Sequence, residues 1–230
     1  MNHQLALAIQ LNDEATLANF CWGDNLLLQQ QIGRSLAQEG ERFFYLWGGS
    51  GCGKSHLLQA CCQTVSHTET SIYLPLQILA EWGPESIDNL GEQSLIAIDN
   101  IEAVATNKAW EEALFHLYNR IRDNSKTVLI ISGNQPLSSL GIQLADLLSR
   151  LAWGLIVQLV ELNDELKIKT LQYYAEKRGF ELPFKIGQFL LNRCARNMHD
   201  LQKILDELDK ASLAAQRKIT LPFVKKTLTL

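Results

Sequence analysis

Eight consecutive residues carry the most specific chemistry in this chain: Gly48, Gly49, Ser50, Gly51, Cys52, Gly53, Lys54 and Ser55. They fit G-x-x-x-x-G-K-[ST], a phosphate-binding loop when a strand precedes it and a helix follows. The flanking residues meet both conditions: Arg42–Trp47 (RFFYLW) reads as a buried strand and Lys54–Ser66 as a helix. The glycines let backbone N–H groups turn inward around phosphates, and the positive end of the following helix faces the same charge. Lys54 is expected to reach the β- and γ-phosphates of a nucleotide, and the Ser55 hydroxyl to ligate Mg2+. A second apolar run, Leu95–Asp99 (LIAID), ends in a carboxylate. Asp99 would lie at the C-terminal end of a strand, where open α/β sheets bind ligands, and is expected to complete the metal site. Position 100 is then asparagine, not an acid. An amide can orient water but is a poor base, so hydrolysis by this chain alone is expected to be slow.

The elements that must position these groups follow from the apolar patterning. Asp24 can cap a helix running to Gly40. Strands are expected at Arg42–Trp47, Ser71–Pro75, Ser94–Asp99, Thr127–Ser132 and Leu155–Val160. Between them, Trp110, Leu114, Leu117 and Ile121 recur at helical spacing within 109–123. Apolar runs alternating with helical patterns mark a parallel sheet with helices on its faces. After Val160 only helical patterns remain. Asn163 can cap a helix ended by Gly179, a second follows Pro183, and Leu201, Ile204, Leu205 and Leu208 share a third's stripe. Thr220 can cap a last one with Pro222 in its first turn. The division expected is 1–19 as an N-terminal peptide and linker, 20–160 as a nucleotide-binding base and 161–230 as an all-helical lid.

Composition limits the rest. With 47% hydrophobic and 20% charged residues the chain can bury a core, and its net charge of −4 argues against life as a general nucleic-acid binder. Its cysteines number five, an odd count without C-x-x-C spacing, as in a reduced cytosolic protein. The first residues lack the basic start and apolar stretch of a signal peptide, and no apolar run approaches a membrane span. A cytoplasmic location away from membranes is expected.

Longer motifs carry a resemblance. FCWGDN (20–25), YLWGGSGCGKSHLLQA (45–60), LIAIDNIE (95–102), ISGNQP (131–136) and LSRLAWGL (148–155) occur in the order seen in the DnaA replication-initiator family. HLYNRI (116–121), IDNIE and AQRKITLPFVK (215–225) look closest to the short Hda-type regulators within it. The resemblance covers almost the whole chain. It implies an α/β P-loop AAA+ base, a five-stranded parallel sheet in the order 5-1-4-3-2, and a small all-helical lid. It also implies ADP or ATP with Mg2+ as the bound group. Asn134 falls at the sensor I place beside the γ-phosphate, and His199 where initiators carry a sensor II arginine; Arg196, about one turn earlier, could substitute. Phe20 and Trp22 fall in the segment near the adenine. Hydrolysing AAA+ proteins usually place an acid at position 100, so Asn100 and His199 together suggest a site that rests with ADP.

Arg150 matches the family's arginine finger, which acts on a nucleotide held by a neighbouring subunit. Ahead of the base, Gln4, Leu5, Leu7 and Ile9 resemble the Q-L-x-L-x-[LF] peptide that enters the bacterial sliding clamp; the apolar side chains alternate, as an extended ligand requires. Initiators carry a DNA-binding domain after the lid, and the chain given stops at Leu230. The function expected is an ADP-bound regulator, not an autonomous enzyme, that docks on the DNA polymerase sliding clamp. There it promotes hydrolysis of ATP held by the DnaA initiator, preventing re-initiation, with no sequence-specific DNA binding of its own. An autonomous ATPase such as a helicase loader is the alternative. A homo-oligomer is left open.

Overall fold

The computed structural model describes residues 11–123 and 126–229. Their elements run α1 (Leu26–Leu36), β1 (Phe43–Trp47), α2 (Lys54–Ser66), β2 (Ser71–Pro75), α3 (Leu76–Leu79), β3 (Leu95–Asp99), α4 (Lys108–Asp123), β4 (Val128–Gly133), α5 (Ala145–Leu151) and β5 (Leu155–Gln158). Four further helices follow: α6 (Asp164–Lys177), α7 (Phe184–Arg193), α8 (Met198–Ala215) and α9 (Leu221–Thr227). The described chain falls into two compact units: Lys54–Leu159 with the residues ahead of Ser50, and the residues after Leu159 with Ser50–Gly53.

In the first unit all five strands are parallel and ordered β2-β3-β4-β1-β5, which is the expected 5-1-4-3-2. A parallel sheet needs crossover connections, and the helices that supply them cover its faces. The central strands β3 and β4 are therefore buried at every position, whereas β5 alternates between partly buried and exposed residues along its free edge. Trp110, Leu114, Leu117 and Ile121 of α4 are at most 4% exposed, so the 3.6-residue stripe does face the core. The register sets Trp47 opposite Gly133 and Pro75 opposite Asp99. Strand ends that carry chemistry are thus aligned on one edge of the sheet, and Gly48 N–H donates to Gly133 O at 3.3 Å.

Several boundaries differ from the sequence reading for local reasons. Helix α1 begins after Asn25, not Asp24, and the Asn25 amide donates to Trp22 O instead of capping. It ends at Leu36, short of Gly40, because Gln38 turns into the left-handed region at φ +61°. Strand β5 stops at Gln158, and Thr220 stands at the N-cap of α9 without a side-chain cap bond.

The second unit is helical, with no strand among its described residues. Ile168, Leu171, Leu190, Leu201, Leu205, Leu208 and Val224 form its core. Asn163 caps α6 by accepting from Leu166 N–H, and Asn197 caps α8 by accepting from Asp200 N–H, each at 2.9 Å. These bonds satisfy N–H groups that a helix start otherwise leaves unpaired. The buried Lys167 ammonium donates to Glu161 Oε1 and to Arg196 O, both at 2.6 Å, which ties α6 to the turn before α8. No helix among the described residues is long and apolar enough to cross a membrane.

Candidate nucleotide site

The loop Gly48–Ser55 joins β1 to α2. Gly51 at φ +77° and Gly53 at φ +102° occupy backbone conformations that a side chain would strain, which explains why the pattern demands glycine at position 53 and why glycine also suits position 51. Lys54 begins α2 and is buried. Its ammonium donates to Gly48 O at 2.7 Å and Gly49 O at 2.9 Å, so the cation sits against the loop backbone. A buried ammonium requires such acceptors, since an unpaired charge out of water is costly. Ser55 is exposed and Cys52 buried.

Asp99 ends β3 and is 1% exposed. One carboxylate oxygen accepts from Ser132 Oγ, the other from the Tyr73 phenol at 2.6 Å. The Ser55 and Gln59 side chains lie near enough to the Tyr73 phenol to oppose part of the rise in its pKa, so one phenol stands by both residues expected to hold a metal. Burial and the Asp99 charge push the Tyr73 pKa up, keeping the phenol a donor. The set of hard oxygen donors, Ser55 and Asp99, suits Mg2+. Sequence reasoning missed Tyr73 and Ser132. Tyr73 looks like one more strand residue until the sheet order sets β2 beside β3.

Tyr73→Phe should lower the melting temperature by about 4–8 °C, from roughly 2 kcal/mol for a hydrogen bond to a buried carboxylate in a chain of this size. Thermal unfolding by circular dichroism checks this, and an unchanged transition would mean that the phenol does not support Asp99.

Beyond Asp99, Asn100 adopts the left-handed conformation, at φ +60°. Its N–H donates to Ser132 Oγ, and its Nδ2 donates to Glu102 Oε1 at 3.3 Å. The other Glu102 oxygen accepts Asn134 N–H at 3.2 Å. Tyr45, buried in β1, donates its phenol to Gln135 O at 2.6 Å. A Cβ at Gly133 would collide with that phenol, so the end of β4 favours glycine there. Asn134 is exposed, with its backbone held by Glu102 on one side and the next residue by Tyr45. Asp99, Asn100 and Asn134 are therefore one connected network, to which sequence reasoning did not assign Glu102.

Arg150 lies in the last turn of α5, partly exposed. Its guanidinium stands 5.3 Å from the centre of the Trp153 ring, and Trp153 is 69% exposed. The opposite side of α5 is anchored by Leu147 and Leu151, buried in the same core as Leu114 and Leu117 of α4. Ahead of α1, the Phe20 ring is 4.6 Å from Trp22 and 5.5 Å from the ring of His56 on α2. In the helical unit, His199 is exposed in the first turn of α8, and Arg196 pairs with Asp164 at 2.8 Å. Gln4, Leu5, Leu7 and Ile9 lie outside the described residues. None of the five cysteines forms a disulfide, and no cluster of metal-ligating side chains occurs among the described residues.

Comparison with known proteins agrees with this architecture. Residues 86–158 match the bacterial DnaA ATPase domain and residues 164–228 match the Hda lid domain. An uncharacterised protein of Haemophilus influenzae is 46% identical over 231 residues, covering 100% of both chains. Domain III of the replication initiation protein DnaA from Thermotoga maritima superposes with a TM-score of 0.80 at 21% identity, over 96% of this chain and 98% of that one. AMPPCP-bound DnaA from Aquifex aeolicus gives 0.73 at 22% identity, over 88% and 67%. The RuvB Holliday junction branch migration motor of Thermotoga maritima gives 0.70 at 17% identity, over 94% and 71%, so the fold itself extends beyond initiators. With a five-stranded 5-1-4-3-2 sheet, a phosphate loop feeding α2 and matches to both DnaA and Hda domains, the chain belongs to the Hda/DnaA-related AAA+ proteins.

Proposed function

We propose that this protein is a regulatory adaptor of replication initiation. It holds ADP, or ATP, with Mg2+, docks on the DNA polymerase sliding clamp through Gln4, Leu5, Leu7 and Ile9, and presents Arg150 to ATP held by a DnaA initiator. The initiator's ATP is then hydrolysed and the origin does not fire again. The observation that carries this reading is Asn100. An amide follows Asp99 where a hydrolysing site needs an acid, and its nitrogen is turned to Glu102. Glu102, two residues on, is tied into this turn: one of its oxygens accepts from Asn100 and the other from Asn134 N–H.

Within the chain's own site each group has a binding role. The N–H groups of Gly49–Gly53 and the start of α2 would cradle phosphates, and Lys54 would turn from its carbonyl partners to the phosphate oxygens. Ser55 and Asp99 would hold Mg2+, which when bound neutralises phosphate charge. Trp22, partly exposed and packed on the buried Phe20, would lie near an adenine, and His199, an exposed imidazole, is a weaker phosphate ligand than arginine. Nucleotide binding is consistent with the AMPPCP bound by the Aquifex DnaA of the same fold. In the initiator's site the Arg150 guanidinium would neutralise charge that develops on the transferred phosphoryl group.

The test is a reconstitution with ATP-loaded initiator and DNA-loaded clamp. Adding the full chain should speed conversion of initiator-bound ATP to ADP, while deletion of residues 1–10 should abolish both that effect and co-elution with the clamp, leaving nucleotide binding intact. Co-elution that survives the deletion sinks the peptide assignment. Multiple-turnover hydrolysis by the chain alone would instead support the autonomous ATPase.

A further inference from the structure

Glu111 is a charged residue buried to 2% exposure in the first turn of α4, outside the motifs that identified the nucleotide site. Among the described residues its carboxylate accepts from backbone N–H groups. Oε1 takes Thr106 N–H at 2.9 Å and Gln143 N–H at 3.1 Å; Oε2 takes Gln143 N–H at 3.1 Å and Leu144 N–H at 2.7 Å. A buried carboxylate is retained at a cost unless its lone pairs are filled, and here backbone donors from two separate segments fill them.

Those two segments are not arbitrary. Thr106 closes the short stretch that leaves the site at Asp99, passes the left-handed Asn100 and the 3₁₀ turn Ile101–Ala103, and arrives at φ +70°. That is a conformation a β-branched residue adopts only under constraint. Gln143 and Leu144 lead into α5, the helix that carries Arg150. Leu144 is its N-cap residue and has no side chain able to cap. Gly141, at φ +76°, faces the Thr106 methyl. One carboxylate therefore fastens the segment descending from Asp99 to the start of the Arg150 helix, while Leu147 and Leu151 fix that helix against α4.

We propose that Glu111 is the positioning residue of Arg150: it sets where α5 begins, and so where the guanidinium stands beside Trp153. The inference rests on the reading of Arg150 as a finger acting on the initiator's ATP. Glu111 touches no nucleotide and makes no docking contact; it acts through the start of α5. A guanidinium displaced by an ångström reaches its phosphoryl target poorly, although the surfaces still meet.

The experiment compares wild type, Glu111→Gln, Arg150→Ala and the double variant in the reconstituted hydrolysis of initiator-bound ATP, each titrated to saturation. Gln keeps the shape but turns an NH2 group toward a backbone N–H. The expected result is a saturating rate about tenfold to a hundredfold lower, with the half-saturating concentration and the chain's own ADP affinity unchanged. In the Arg150→Ala background the same substitution should cost nothing further, because its only route to the chemistry is already gone. Hydrogen exchange at 143–151 should quicken while β1 and β4 stay protected. A wild-type saturating rate in folded Glu111→Gln overturns the proposal. An equal fractional loss in the Arg150→Ala background also overturns it, since the effect would then pass through the general fold. If Arg150→Ala itself stimulates normally, the finger reading fails and this inference with it; if Arg150→Ala is inactive and Glu111→Gln is normal, only this inference fails. Should Glu111→Gln not fold, Glu111→Asp, which keeps the charge but withdraws it by one methylene, faces the same outcomes.

Discussion

Arg150→Ala is expected to slow the stimulated hydrolysis of initiator-bound ATP by about a thousandfold or more, the scale of an arginine finger's contribution. Single-turnover conversion of the initiator's ATP, with clamp and DNA present, measures it. The chain's own properties should scarcely move. Arg150 is partly exposed at the end of α5, and its visible contact is the Trp153 ring at 5.3 Å. A cation–π contact at such a position contributes about 0.5–1 kcal/mol, which for a chain of this length lowers the melting temperature by no more than about 4 °C. Clamp co-elution and ADP affinity should match wild type. Arg150→Lys is not expected to rescue, because an ammonium lacks the planar fork and stacks less well on Trp153. Full stimulation by folded Arg150→Ala would falsify the finger assignment and leave the chain without a trans-acting group.

Lys54→Ala should act in the opposite compartment, on the chain's own nucleotide. Removing one member of a buried, hydrogen-bonded charge pair typically costs about 2–5 kcal/mol, so ADP affinity should fall by about a hundredfold. Thermal shift reads this directly. ADP at a hundred times the wild-type dissociation constant stabilises the folded state by about 2.7 kcal/mol, a rise of about 5–10 °C in a chain of this length. The same ADP concentration should move Lys54→Ala by only about 1–2 °C, since it then merely equals the weakened dissociation constant. In the absence of nucleotide the substitution also removes the donor to Gly48 O and Gly49 O, so the baseline melting temperature should fall as well. An ADP-induced rise equal to wild type would show that Lys54 does not contact the phosphates. Measured together, the two variants separate holding a nucleotide from acting on one.

Much of the fold was legible because its signals are local. The apolar runs that became β1 to β5 could be picked out one by one, and the 3.6-residue stripe of α4 needed no partner to be recognised. The phosphate loop is likewise local, eight residues whose glycines and Lys54 specify a backbone shape before any tertiary contact forms. The boundaries that shifted did so through conformations or contacts with no local sequence signature, such as Gln38 turning left-handed ahead of Gly40. The order 5-1-4-3-2 came from family motifs, since apolar patterning finds strands but cannot rank them.

The polar wiring was not legible, because it joins residues distant in sequence. Tyr73 reaches Asp99 across 26 residues and Ser132 across 33, and only the adjacency of β2, β3 and β4 brings them together. Glu102 meets Asn134 for the same reason. Glu111 reads in sequence as one more acid in a helix's first turn, one of two adjacent glutamates, and nothing local separates it from Glu112, which is exposed and pairs with Lys108. Spacing along one chain was enough to read the order and type of the elements and the phosphate-loop pattern. Tertiary structure decided which hydroxyls brace Asp99, where Asn100 turns its amide and what anchors the helix of Arg150. Those depend on hydrogen bonds of about 3 Å between separate segments, whose geometry exists only once the sheet has assembled.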